Sequence, residues 1–305
     1  MIWQKTLAKT LSFTGIGLHS GRPVTVKLYP APANQGMRFV RTDLPGRPVL
    51  KAHVSQVVDT VRATTLGEGA ATLSTVEHVL AALWGMGVDN AVIHVDGPEI
   101  PIMDGSAAPF ADLLSQTGFQ SLPWPRAYLL IQRPVELRED DQFMRVTPGQ
   151  SRLTYSIDFP HPLIQRQKYT VALTPENFRE EIAPARTFGF LKEVEYLQAH
   201  GLALGGSLDN AVVLDDTDVL NPGGLRFANE CVRHKMLDAV GDLALLGMPI
   251  LGRVEVNRGS HSLHQRFIQA LLREETAWRI WIPSVQPRET RRAWRPAPLW
   301  SAVPA

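Results

Sequence analysis

Glu230, His234, Asp238 and Asp242 follow one another at four-residue spacing in the stretch from Glu230 to Asp242. On a helix, residues four apart are neighbours on one face. Three acids and an imidazole would then share one stripe. Like charges at that spacing repel, modestly on a wet surface and more strongly when shielded from water. A surface stripe is tolerable, whereas a buried one needs a compensating cation. A metal ion held by His234 and Asp238 would supply it. A catalytic zinc takes three protein ligands and keeps one position open. A third ligand must therefore come from elsewhere.

The chain has nine histidines. His78 stands out because Glu77 precedes it on a predicted helix over about Thr75 to Trp84. Val76, Val79, Leu80, Leu83 and Trp84 give that helix an apolar face, and Gly85 and Gly87 offer a stop. Local chemistry gives these residues ordinary roles too. Ser74-Thr75-Val76-Glu77 fits a capping box, with Ser74 as N-cap and Glu77 at N3. A histidine beside an apolar helix face is commonly a core or boundary residue. The order Glu-His, with alanine at 82, is not the His-Glu-x-x-His protease motif, and an isolated His-x-x-x-Asp recurs by chance.

The remaining candidates are weaker. Gly201 to Ser207 is glycine-rich but lacks a P-loop ending, so a mobile loop is expected. No Gly-x-Ser-x-Gly elbow occurs. Cys231 reads as structural, with metal ligation the minority role. His161, His200 and His264 have no acidic partner in sequence and are assigned to surface or loop. His261 follows Gly259-Ser260, where a loop histidine can swing its ring into a cleft. Glu230 is expected at the surface or as a cap.

These residues need elements to hold them. Val24, Val26 and Leu28 alternate as a strand, as do Leu153, Tyr155, Ile157 and Phe159. Ala91 to Val95 and the segment around Val254 and Val256 are further strands. A short helix starts near Pro109, with Ser106 as a cap. Helical periodicity marks Leu191 to His200, Asn229 to Leu246, and Ser262 to Arg273. Leu122-Pro123-Trp124-Pro125-Arg126 is the expected linker, since its prolines resist regular structure. Val88-Asp89-Asn90-Ala91-Val92 faintly echoes Leu208-Asp209-Asn210-Ala211-Val212, consistent with two halves of similar α+β make-up. From Pro283 the chain is rich in proline and carries Arg288, Arg291, Arg292 and Arg295. That suits an extended strap or frayed end, or a patch for an anionic membrane or substrate.

Composition bounds the whole. The 305 residues suit two domains or one large one. Hydrophobic residues at 44% and charged residues at 20% describe a globular chain able to bury a core. Lys plus Arg (31) nearly cancels Asp plus Glu (30), leaving no bulk drive toward nucleic acid. The single cysteine excludes an internal disulfide and fits a reducing compartment. Polar residues around Lys5 and Lys9 break any signal segment, and no apolar run reaches membrane-span length. A soluble, cytoplasmic protein is expected.

Taken together the motifs resemble the LpxC family of UDP-3-O-acyl-N-acetylglucosamine deacetylases. The resemblance runs through Thr14-Gly15-Ile16-Gly17-Leu18-His19-Ser20-Gly21, Leu73-Ser74-Thr75-Val76-Glu77-His78, Pro98 to Phe110, Ala185-Arg186-Thr187-Phe188-Gly189-Phe190, Arg233 to Asp238, and Gly259-Ser260-His261. Six motifs in family order are highly specific together, and they override the local readings of Glu77, His78 and His234.

The resemblance implies an α+β fold of two similar domains, 1–124 and 125–305. Each is a β-sheet packed on a pair of helices, with the helices sandwiched between the sheets and the site at the junction. It implies zinc bound by His78, His234 and Asp238, with Fe2+ the alternative that ligand identity does not separate. Glu77 corresponds to the general base, His261 to the histidine assisting the leaving amine, and Asp242 to its carboxylate partner. Lys235 and Thr187 correspond to residues at the reacting centre, and Phe188, Phe159, His19 and Arg258 to substrate contacts. An insert at about 189–220 would shape an apolar acyl-chain passage from Phe190, Leu191, Leu197, Leu202 and Leu204. The implied reaction removes the N-acetyl group of an acylated UDP-amino-sugar, the committed step of lipid A biosynthesis in Gram-negative bacteria. The expected protein is a monomer with no nucleic-acid partner, no transmembrane segment and no fused dehydratase domain.

Overall fold

A computed structural model describes residues 2–283. The arginine-rich tail beyond Pro283 lies outside the described residues.

Two five-stranded sheets organise the chain. In the first, the order is Leu11–Ile16, Pro23–Pro30, Ala91–Val95, Met37–Arg41, Val49–Lys51. Val24, Val26 and Leu28 are buried on one face, as their alternation predicts. The second sheet runs Val135–Glu139, Gln142–Thr147, Arg253–Asn257, Arg152–Phe159, Gln165–Ala172. Both sheets have one design. The last strand in sequence inserts between the second and third, and runs parallel only to the third.

That insertion has a consequence for the site. A parallel neighbour cannot be reached by a tight hairpin and needs a long crossover, usually helical. In the first half the crossover contains helix Glu77–Gly85, and in the second half helix Glu230–Leu243. These are the two helices that carry the candidate ligands, and they pack against each other. Each final strand is followed by another helix, Ala108–Thr117 and His261–Arg273. Helix Ala108–Thr117 contacts the first sheet, and helices Glu230–Leu243 and His261–Arg273 contact the second. The fold is α+β, with helices meeting between two sheets. No helix among the described residues is long and apolar enough to cross a membrane.

Helix Glu77–Gly85 has no solvent face, because every residue from Glu77 to Leu83 is buried. Its approach to helix Glu230–Leu243 depends on Gly241. The Glu77 backbone carbonyl lies where a Cβ on residue 241 would stand.

The capping box does not form. Thr75 has φ +59°, Val76 is the N-cap, and no side chain caps this helix. Ser74 accepts a hydrogen bond from the Thr65 hydroxyl instead. Left-handed backbone at Thr75 turns Ser74 away from the helix axis and leaves the Glu77 carboxylate for other work. The proline-rich linker is a strand, Phe119–Pro125, paired antiparallel with Trp3–Leu7. A two-stranded ribbon consists only of edges, where proline's missing N–H is tolerated. The short sequence echo does not mark the structural repeat. Ala91–Val95 corresponds in topology to Arg253–Asn257, whereas Val212–Leu214 pairs with Phe188–Phe190 in a separate small sheet.

Candidate active site

The stripe on helix Glu230–Leu243 is buried. Glu230, His234, Asp238 and Asp242 are only 1%, 3%, 3% and 2% exposed, so each needs a partner that water cannot supply.

Glu230 finds Arg186. The Arg186 backbone N–H and Nε both donate to Glu230 Oε1 at 2.9 Å, and Nη2 donates to Oε2 at 3.1 Å. The Arg226 backbone N–H adds a bond to Oε2 at 2.6 Å. Glu230 is therefore neither a surface residue nor a cap. It anchors the segment that ends in Thr187 and Phe188. From the other half, the Gly105 carbonyl accepts from Thr187 N–H at 2.7 Å.

His234 and Asp238 meet His78. His234 Nε2 lies 3.3 Å from Asp238 Oδ1, and His78 Nε2 lies 3.8 Å from the same oxygen. Ligand atoms of the three all fall within 4.8 Å of one another. His234 Nδ1 donates to the Ala185 carbonyl at 3.1 Å, which leaves Nε2 its lone pair. Burial pushes His78 down to about 3, reinforced by the neighbouring His234. Burial likewise lowers His234. Neutral imidazole is the form that ligates metal. Burial alone would raise Asp238, but His234 and Lys235 outweigh it and hold the carboxyl well below its usual range. Lys235 Nζ donates to Asp238 Oδ2 at 2.8 Å, so one oxygen faces the histidines and the other the lysine. Two neutral nitrogens and one carboxylate oxygen, all buried, fit a divalent ion of the zinc type.

Asp242 faces a different group. His261 Nδ1 donates to Asp242 Oδ2 at 2.7 Å. Burial pulls His261 down, but Asp242 outweighs it and pushes the imidazole up to about 9. His261 is the first residue of its helix, held by the Ser260 cap that accepts from Leu263 N–H at 3.2 Å. It is not a swinging loop residue. Its Nε2 points at Glu77 Oε1, 4.0 Å away. Burial raises Glu77 to about 7, against the pull of His261. Glu77 Oε2 accepts from the Thr64 backbone N–H at 3.1 Å.

A cleft of about 330 Å³ gathers these groups, with Glu77, His78, His234, Lys235, Asp238 and His261 in its wall. His19, Thr187, Phe159 and Phe188 line it too. Phe159 and Phe188 meet edge to face with centroids 5.6 Å apart, and Phe188 stands 6.3 Å from the His234 ring. A neighbouring cavity of about 440 Å³ shares Phe159 and Phe190. Arg258 stands apart and pairs with Asp141 at the surface. A larger cavity, about 560 Å³ around Trp84, Asp89 and Arg126, holds none of these candidates.

A family model described as LpxC, UDP-3-O-acyl N-acetylglycosamine deacetylase, matches residues 4–273. The chain belongs to the LpxC family. A protein of Syntrophus aciditrophicus named UDP-3-O-acyl-N-acetylglucosamine deacetylase is 49% identical over 279 residues, 91% of this chain and 89% of its own. Its namesake in an Anaeromyxobacter species is 50% identical over 278 residues, 91% of each chain. Another in Myxococcus xanthus is 47% identical over 279 residues, 91% and 88% of the two chains.

Within this LpxC-family site, sequence reasoning missed His264 and Thr64. His264, assigned to surface or loop, is 0% exposed, and its Nδ1 donates to Asp242 Oδ2 at 2.8 Å. The i, i+3 spacing of His261 and His264 on one helix was the available signal. The Thr64 hydroxyl donates to Asp242 Oδ1 at 2.6 Å, across a sequence separation that carries no local mark. His161 is also buried, beside the Asp215 carbonyl.

Proposed function

We propose that this chain hydrolyses the acetamide of UDP-3-O-acyl-N-acetylglucosamine, giving acetate and UDP-3-O-acyl-glucosamine, the committed step of lipid A biosynthesis. One observation carries the reading. In a chain of this family, a buried His78, His234, Asp238 trio shares a cleft with the Glu77 carboxylate.

The trio would hold one divalent ion, Zn2+ in our reading, with Fe2+ the alternative. When bound, the ion supplies Lewis acidity to the acetamide oxygen and a place for the attacking water. Glu77 accepts the proton of that water as its oxygen bonds to the acetamide carbon. The Thr187 hydroxyl donates to the oxygen that gains charge. Protonated His261, held by Asp242, gives its proton to the nitrogen as the carbon–nitrogen bond breaks. Lys235 donates to a substrate oxygen at the cleft wall.

Phe159, Phe188 and the adjoining cavity suit the acyl chain. The insert at 189–220 closes that side, where Leu204 N–H donates to the His19 carbonyl at 3.3 Å. His19 completes the substrate contacts within the cleft, while Arg258 keeps its surface pair with Asp141. The two halves act as domains 1–124 and 125–305 of a cytoplasmic monomer.

The test is turnover by the purified protein on the acylated UDP-sugar and on free N-acetylglucosamine. Acetate should appear only with the former. A chelator should abolish its release, and zinc should restore it. Metal-loaded protein that releases no acetate from the acylated UDP-sugar would sink the reading.

A further inference from the structure

Behind His261 lies a second, fully buried histidine. His264 Nδ1 and His261 Nδ1 both reach Asp242 Oδ2, at 2.8 and 2.7 Å. A carboxylate oxygen can only accept, so both nitrogens donate. With its proton on Nδ1, His264 is left with an acceptor at Nε2. The Tyr155 hydroxyl sits 3.2 Å from that nitrogen and donates to it. Tyr155 is 0% exposed on the central part of strand Arg152–Phe159. The chain Tyr155, His264, Asp242, His261 thus runs from the second sheet to the cleft, with the tautomer of His264 set by its neighbours on both sides.

Gly259 gives an independent sign that this pair is built in. A Cβ there would stand 2.5 Å from Val256 Cγ1, 2.6 Å from the Tyr155 hydroxyl oxygen and 2.8 Å from His264 Nε2. The glycine of Gly259-Ser260-His261 therefore makes room for the tyrosine–histidine contact. The Asp242, His261 and His264 atoms also have metal-ligand spacing, but both Nδ1 atoms are occupied by Asp242.

We propose that His264 is a positioning residue that shares the Asp242 carboxylate with His261 and so limits how tightly His261 holds its proton. The proposal deepens the role given to His261 above and rests on it for its effect on turnover. Two N–H groups on one oxygen divide its negative charge. Removing one leaves the other facing a more basic acceptor. It also loosens the carboxylate, since His261 alone then holds Oδ2 while Thr64 still holds Oδ1.

Other charges face His261 as well. Glu77 and His78 come from the first-half helix, and His234, Lys235, Asp238 and Asp242 from the second. Apart from Asp242, whose hydrogen bonding the replacement alters, these groups stay as they are, so the difference between variants reports on the shared carboxylate.

The test reads the imidazole directly. His261 is titrated by nitrogen NMR in the metal-loaded protein, with His261→Gln to assign its signal, and the pH profile of kcat is recorded alongside. His264→Leu should move the His261 midpoint up by roughly 0.5–1 unit, as expected for loss of a competing hydrogen bond. It should lower kcat about tenfold through lost aim of the proton donor. His264→Asn, whose amide can donate to Asp242, should return both toward the wild-type values. Tyr155→Phe removes far less volume and should move the midpoint in the same direction by less, so it replaces His264→Leu if that variant does not fold. An unmoved His261 midpoint in the folded variants overturns the proposal. A midpoint that moves while the alkaline limb of kcat stays fixed upholds the sharing of Asp242 and removes His261 from the proton-donor role instead.

Discussion

The two halves share one topology and load it differently. In each, a crossover helix leads into the inserted last strand. The first-half helix, Glu77–Gly85, is apolar after its first two residues and is buried on all sides. The second-half helix, Glu230–Leu243, buries four polar residues along a single stripe. A helix of the first kind is stabilised by its own burial. A helix of the second kind is destabilised by burial unless each charge meets a partner. Those partners come from several places: Arg186 from the segment ahead of the insert, His78 and Thr64 from the first half, and His261 and His264 from the following helix. The repeat thus supplies two similar scaffolds, and the asymmetry of charge makes them interdependent.

The sharpest way to break the comparison is to remove one partner from each helix. His78→Ala and Asp238→Ala should each lose bound metal and with it roughly 10³-fold or more in kcat, since metal assistance supplies several kcal/mol. Glu77→Gln should keep the metal, measured by elemental analysis, while kcat falls about 10²–10⁴-fold. A Glu77→Gln enzyme of near-normal rate would remove the general-base assignment.

Glu230→Ala tests the far end of the stripe, away from the reaction. It leaves Arg186 buried without its carboxylate and should cost about 3–5 kcal/mol in denaturant unfolding. Cost near zero would mean that the Arg186–Glu230 pair is not what holds Thr187 and Phe188 in place.

Gly241→Ala adds one methyl group where the helices cross. It should cost about 1–3 kcal/mol by forcing the Glu77 carbonyl away. Turnover should fall with it, because Glu77 and His78 move as one unit. Equal stability of Gly241→Ala and the wild type would mean that the crossing is looser than its geometry implies.

The smallest effect is a shift in pH. His261 must be protonated to donate, so kcat should hold below and decline as pH rises through about 9. The sign for stability is the same. A folded value raised above the ordinary 6.5 contributes stability that is fully present below about 6.5 and is lost as pH rises through about 9. Asp242→Asn should move the alkaline limb of kcat to lower pH, because the group that raises His261 is gone. A limb that stays in place would assign it to another group.

Much of the site was legible in the chain. The four-residue spacing of Glu230, His234, Asp238 and Asp242 held in the structure because helix geometry is local and depends only on spacing. The same reading failed wherever a partner was distant. Glu230 looked like a surface residue because Arg186 lies far away in sequence. His264 carries no local sign of its partner, because its acid, Asp242, sits on another helix. Ser74 and Glu77 matched a capping box, but Thr75 takes a left-handed turn that local spacing does not reveal.

The sequence by itself determined the helical stripe, the alternating strands and, through six motifs in order, the family. Each of these follows from short-range spacing or from matched residue types. Only the tertiary structure decided that the stripe is buried, and which partner answers each charge. Burial depends on what packs above a helix, and here that is helix Glu77–Gly85, which belongs to the other half of the chain and lies far away in sequence.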